Sequence, residues 1–203
     1  MLLIRRIEIT NFVCFDDIAI EPSTSREQPL TVIRAENGSG KTTLLRAIRW
    51  GMYGEKGLPG NASHFSLHPA AWPPDENGIE TSVTVLFETD GSTRNHPQGK
   101  ATNTVYELRR SVTTVAKESS RQGEPDFRRI GEEAQLLIQE PDGSWEPYNA
   151  GVDAVIEELL PSTLRDFFVM DADEAADFVG GARTRSLNDE PSSPRHPSPW
   201  AHC

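Results

Sequence analysis

Residues 36–43, Glu36-Asn37-Gly38-Ser39-Gly40-Lys41-Thr42-Thr43, carry the densest chemistry in this sequence. A glycine-rich turn followed at once by Lys and Thr is suited to holding a polyphosphate. The backbone N–H groups of such a loop point inward, and the helix behind it adds the positive end of its dipole. On this reading Asn37, Gly38, Ser39 and Gly40 cradle phosphates, with Glu36 and Thr43 flanking them. Lys41 reaches the β- and γ-phosphates, and the Thr42 hydroxyl holds Mg²⁺. The expected ligand is ATP with Mg²⁺. The spacing departs once from G-x-x-x-x-G-K-[ST], because Ala35 stands where the first Gly belongs. A methyl is tolerated there if the backbone is not at positive φ, and Asn37-Gly38 can supply the turn. The plainer alternative is a Gly-rich turn before an ordinary helix.

The loop needs a strand before it and a helix after it. Residues 30–33 are apolar enough for a short buried strand, and an apolar-periodic helix starts at about Lys41. That helix places Leu44, Leu45, Ile48 and Met52 on one stripe, with Arg46 and Arg49 off it. Two further strands, residues 2–10 and 15–20, precede the loop. Most phosphate-loop kinases and small GTPases open instead with the loop strand itself. Residues 55–78 are rich in Gly, Pro, Asn and His and are too long for an ordinary connection. His64 and His68 stand four apart there, but Pro69 argues against a helix and no Cys accompanies them, so both read as solvated. Residues 81–89 and 104–115 form the clearest strand pair. A third pair, 134–140 and 145–148, turns at Pro141-Asp142-Gly143-Ser144. Residues 151–160 are helical, and a second short helix follows Pro161 with Ser162 as its N-cap.

The formal charge of −11 over 203 residues is unevenly spread. Residues 1–50 hold seven Arg/Lys against six Asp/Glu, so almost all the acidity lies beyond them. Such a chain does not bind nucleic acid through its whole surface. Arg5, Arg6, Arg109 and Arg110 are candidates to face DNA, against the plainer reading that Arg on exposed strand faces serves solubility. With 36% hydrophobic residues and no apolar run near the roughly 18 of a membrane span, no membrane association is expected. The first residues stop being apolar too soon for a signal peptide. Cys14 and Cys203, far apart, suggest no disulfide framework and a cytoplasmic setting.

Residues 167–174 add four apolar residues and then acid, ending Phe-Phe-Val-Met-Asp171-Ala172-Asp173-Glu174. Three readings compete. Asp171 is a Walker B carboxylate for Mg²⁺, or the stretch is a helix end passing into a solvated acidic turn, or it belongs to a lobe-bridging segment. The last comes from a resemblance. With its two opening strands, Asn11-Phe12, the loop at 37–44, the hairpin at 81–115 and this acidic stretch, the chain resembles the N-terminal lobe of SMC-like ATPases. These are the SbcC/RecF-type, ABC-class AAA ATPases of DNA repair and defence. The 167–174 stretch is most similar to the Phe-rich F-D-G-E segment of DndD-type proteins from DNA phosphorothioation systems. That alignment puts Asp171 at the Q-loop position, which senses Mg²⁺ and the γ-phosphate, although Ala172 replaces the usual Gly. Val13 likewise replaces the Arg common after Asn-Phe.

The resemblance implies an α/β fold, a P-loop NTPase half-head with an N-terminal antiparallel β-subdomain over residues 1–181. A disordered tail over 182–203 follows. It implies Lys41 and Asp171 as the residues closest to catalysis, with Thr42 and Asp171 as metal ligands. The implied partner is a complementary ATPase lobe or a second copy of this chain, with DNA contacted through the assembled head. No signature loop, Walker B Asp-Glu pair or heptad repeat occurs in these residues, so the expectation is a truncated or frame-shifted head, inactive alone. Two rival readings are a nucleotide-gated interaction module or gene remnant, and a stand-alone P-loop phosphotransferase. The second would need an Arg-rich lid, and residues 55–78 have one Lys and no Arg.

Overall fold

The computed structural model describes residues 2–25, 27–28, 30–58, 65–71, 75, 77–89, 103–116, 127–148 and 151–164. The strands in chain order are β1 (Leu2–Phe12), β2 (Phe15–Ile20), β3 (Ile79–Thr89), β4 (Thr104–Ala116), β5 (Phe127–Gln139) and β6 (Trp145–Pro147). Helix α1 (Lys41–Tyr53) lies between β2 and β3 and runs into a single 3₁₀ turn, Gly54–Gly57. Helix α2 (Val152–Leu159) and a 3₁₀ turn, Ser162–Leu164, follow β6. The six strands form one antiparallel sheet in the order β2-β1-β3-β4-β5-β6.

The sheet has one dry face, and the sequence shows why. In β3, Thr81, Val83, Val85, Phe87 and Thr89 are buried in strict alternation. In β4, Tyr106, Leu108 and Val112 are buried on the same period, together with Arg110. Period-two alternation is what a sheet covered on one side requires. The two strands pair over eleven positions from Ile79↔Thr114 to Thr89↔Thr104, and Phe87 stacks on Tyr106 at 5.4 Å.

Helix α1 covers that face, packing on β1, β3 and β4. Ala47 and Trp50 are fully buried and Met52 nearly so, and Phe12 of β1 lies 5.8 Å from the Trp50 ring. Each such large side chain removed from water contributes about 1.5–3 kcal/mol. Gly51 lets helix and sheet meet closely, since a Cβ there would lie 2.7 Å from Val83 Cγ1. Gly57 does the same for the 3₁₀ turn, where a Cβ would lie 2.2 Å from the Arg49 carbonyl oxygen.

Several expectations are corrected. Residues 30–33 form no strand, and Leu30, Val32 and Ile33 are 76%, 75% and 49% exposed. An apolar run folds as a buried strand only beside another strand, and the six-stranded sheet does not include this one. Arg49 is buried, and the covered face of α1 centres on Ala47 and Trp50, so Leu45 and Ile48 sit at its margin. His68 is buried, not solvated, while His64 lies outside the described residues. The Ser162 hydroxyl donates to Glu157 Oε1 at 3.1 Å, and the helix expected after Pro161 lies mostly outside the described residues. Strand β5 begins at Phe127, earlier than its sequence pattern indicates. Much of its first half is exposed on both faces and held by pairing with β4 rather than by a buried face.

Candidate functional site

The loop ahead of α1 is exposed at residues 36–39 and folds as a turn closed by Ser39, whose N–H and Oγ both donate to the Glu36 carbonyl at 3.3 and 2.6 Å. Gly38 and Gly40 take left-handed φ values of +81° and +93°. Most side chains are strained there, so the glycines allow the chain to wrap tightly at the mouth of the helix. Gly40 is the N-cap of α1, and its carbonyl accepts the first helical bond from Leu44 N–H at 2.8 Å. No side chain caps this helix and no acid occupies its first turn. The positive end of the helix dipole therefore faces the loop with no carboxylate in the first helical turn to compete with an anion.

Lys41 is exposed and folds back over the loop. Its Nζ donates to the Ala35 carbonyl at 2.8 Å and to the Glu36 carbonyl at 2.7 Å. The ammonium group thus lies beside the loop. Thr42 is exposed at the first helical turn, whereas the Thr43 side chain is buried. Thr43 can meet a ligand only through its backbone N–H. The residues from Glu36 to Thr42 are contiguous and, apart from the half-buried Gly40, exposed. Asp171 lies outside the described residues. Backbone amides, two glycines, a lysine and an exposed hydroxyl form a donor set that fits a triphosphate with Mg²⁺.

The β1–β2 turn supports the loop from beneath, a role that sequence reading did not assign. A Cβ on Gly40 would lie 2.8 Å from Phe15 Cζ and 3.0 Å from Cys14 Sγ. Two non-glycine residues of this turn, Asn11 and Val13, have φ of 52° and 53°. Asn11 Nδ2 donates to the Glu80 carbonyl at 2.9 Å, Thr81 Oγ1 donates to the Asn11 carbonyl at 2.9 Å, and Val13 N–H donates to the Leu67 carbonyl at 2.7 Å. Such anchors hold a conformation that an isolated chain would avoid.

The arginines considered for DNA are engaged elsewhere. Arg5 Nε pairs with Glu88 at 2.9 Å, Arg6 with Glu8 and Glu21, and Arg109 with Glu80 at 3.0 Å. Arg110 is buried; it donates through Nε to the Gly51 carbonyl at 3.2 Å and faces Glu132 and Asp153 at 3.5 Å each. Its role is to tie the end of α1 to β5 and α2. A cleft between α1 and α2, lined by Tyr53, Lys56, Asp153 and Glu157, lies at the far end of α1 from the loop. Among the described residues no cluster of His, Cys, Asp and Glu is arranged to hold a metal, and no helix is long and apolar enough to cross a membrane.

A protein-family model described as an AAA domain matches residues 6–158. No curated protein matches the chain. A solved structure from work on the ATP-driven dimerization and DNA-stimulated activation of SMC ATPases is similar at 18% identity, over 88% of this chain and 98% of that one, with a TM-score of 0.43. That likeness is too loose to carry a function.

Proposed function

The family model spans most of its length, so the chain belongs to the AAA-domain family, and we propose that it is the ATP-binding lobe of an SMC-like ATPase head. The observation that carries this reading is the exposed loop at 36–40 with Lys41 Nζ lying over it at an uncapped helix N-terminus. Asn37, Gly38, Ser39 and Gly40 hold phosphates through their amides, flanked by Glu36 and Thr43. Lys41 exchanges its two carbonyl partners for phosphate oxygens, a charge-assisted bond in place of a neutral acceptor. Thr42 is the Mg²⁺ ligand from this loop. Bound Mg²⁺ would neutralise charge on the β- and γ-phosphates.

Hydrolysis requires, in addition, a positioned water and stabilisation of the transferring phosphoryl group. No Ser-Gly-Gly motif and no apolar run followed directly by Asp-Glu occurs in these 203 residues. We therefore assign those parts to a complementary lobe or a second head, and Asp171 to a sensor of Mg²⁺ or the γ-phosphate. The exposed apolar run at Leu30, Val32 and Ile33 favours this view. Leu30 and Val32 would share one face of a strand and Ile33 would lie on the other, so both faces of the segment carry apolar side chains as in a strand covered on both sides. In this reading the assembled head, rather than the paired arginines of this lobe, contacts DNA. Its setting is DNA repair, modification or defence in the cytoplasm, with residues 167–174 resembling the acidic segment of DndD-type proteins.

Phosphate release measures this directly. The chain alone should turn over Mg-ATP several orders of magnitude more slowly than when mixed with the C-terminal lobe of a related full-length ATPase. Val32→Asp should abolish the stimulation while leaving the melting temperature of the lone chain nearly unchanged, since the side chain is already exposed. Fast turnover by the chain alone, lost in Asp171→Asn, would overturn the division of labour and make Asp171 a Walker B carboxylate.

A further inference from the structure

We propose that Phe15, with Cys14 beside it, is the positioning residue for the phosphate loop, and that the β1–β2 turn thereby sets nucleotide affinity. This inference rests on the reading of residues 36–42 as a nucleotide site. Within the loop, a Cβ on Gly38 would meet nothing within 4 Å. At Gly40 the same atom would meet the Phe15 ring at 2.8 and 3.0 Å and Cys14 Sγ at 3.0 Å. The loop is therefore open at its tip and seated at its last glycine. That glycine is also the N-cap of α1, so its placement fixes where the first amides of the helix point.

The seat is itself held from three directions. Phe15 pairs with Phe12 across the β1–β2 register, and Phe12 is fully buried against Trp50 and Phe65. Asn11 is bonded to β3 through Glu80 and Thr81. Val13 is bonded to Leu67. A β-branched residue rarely takes the left-handed φ of Val13, and here it turns the chain so that Cys14 and Phe15 face Gly40. A flat ring packed against a glycine leaves no room for the loop to slide toward the sheet. A loop held that way presents its amides with little reorganisation on binding, and small misplacements are expensive where several donors must converge.

The experiment is a calorimetric titration of Mg-ATP into the full chain, with thermal melting of each variant alongside. All proteins carry Cys203→Ser, so that Cys14 is the only thiol. Phe15→Ala should weaken Mg-ATP at least about tenfold when measured well below its melting temperature. Phe15→Tyr keeps the ring but adds a hydroxyl at Cζ, the atom nearest Gly40, and should weaken Mg-ATP with a melting temperature close to the parent's, which a general loss of packing would not predict. Methylthiolation of Cys14 on the otherwise unaltered folded chain adds bulk against Gly40 and should weaken binding without any mutation of the core. Prior Mg-ATP should slow that modification. Parental affinity in Phe15→Ala, with Cys14 modification also silent, overturns the proposal. Should Phe15→Ala fail to fold, Phe15→Leu and the Cys14 adduct decide by the same criterion. A parent chain that binds no Mg-ATP overturns the nucleotide reading itself and this inference with it, a result distinct from normal binding by every variant.

Discussion

Lys41 rests on the carbonyls of Ala35 and Glu36, so its charge is satisfied at the cost of two backbone acceptors that a phosphate would release. Replacing it by Ala removes the cation that follows the loop and leaves the glycines in place. Lys41→Ala should weaken Mg-ATP by about 2–4 kcal/mol, roughly 30- to 1,000-fold, as expected for a charge-assisted contact shielded from water. Titration with a fluorescent ATP analogue would show it, and equal affinities would mean that the loop holds no phosphate. His68 is one residue whose setting sequence alone misjudged. Its ring packs edge-on to Phe127 at 4.7 Å, and burial, followed by the nearby Arg129 guanidinium, holds its pKa below the ordinary 6.5. As pH falls through 6.5 the unfolded chain takes up the proton before the folded one does. Stability present above that pH is therefore lost on acidification toward the lower folded pKa. The melting temperature should fall between pH 7.5 and 5.5, and less steeply in His68→Gln. Identical slopes for the two proteins would show that His68 is not part of the pH response.

At the scale of elements, the helix–sheet contact is the most demanding. Gly51 sits where a Cβ would overlap Val83 Cγ1, with Val83 in the middle of a fully paired strand. Gly51→Ala should destabilise by about 1–3 kcal/mol from overpacking, even though Ala favours a helix by about 1 kcal/mol. A lower urea midpoint with an unchanged slope would show it; a higher midpoint would mean the helix stands off the sheet. The β3–β4 pair was legible in the sequence because Val83, Val85, Phe87, Tyr106, Leu108 and Val112 recur at period two, mostly with polar residues between them, and that period has one physical meaning. The loop and α1 were legible because Gly, Lys and Thr at fixed offsets demand that local geometry. Arg49 and Arg110 were not, because a residue type says nothing of the carbonyls and carboxylates that folding brings to it. Residues 30–33 misled for a related reason. Their composition describes a strand covered on both faces, but strand formation depends on a neighbour that composition does not supply.

Across the whole molecule, almost all the charge excess lies beyond residue 50 of the sequence, and Arg5, Arg6 and Arg109 of the sheet are matched by Glu88, Glu8 and Glu80 rather than left to form a cationic surface. One face of the sheet carries the core, α1 joins that core to the loop, and the apolar run before the loop remains uncovered. The proposal that follows from this arrangement is a lobe that holds a nucleotide but needs a partner to hydrolyse it. The most direct test is to incubate the purified chain with γ-phosphate-labelled Mg-ATP, separate protein from free nucleotide, and determine what the protein retains. The account predicts close to one intact ATP per chain, with almost no released phosphate over many minutes. No retained nucleotide, or retained ADP with the label in solution, would contradict it.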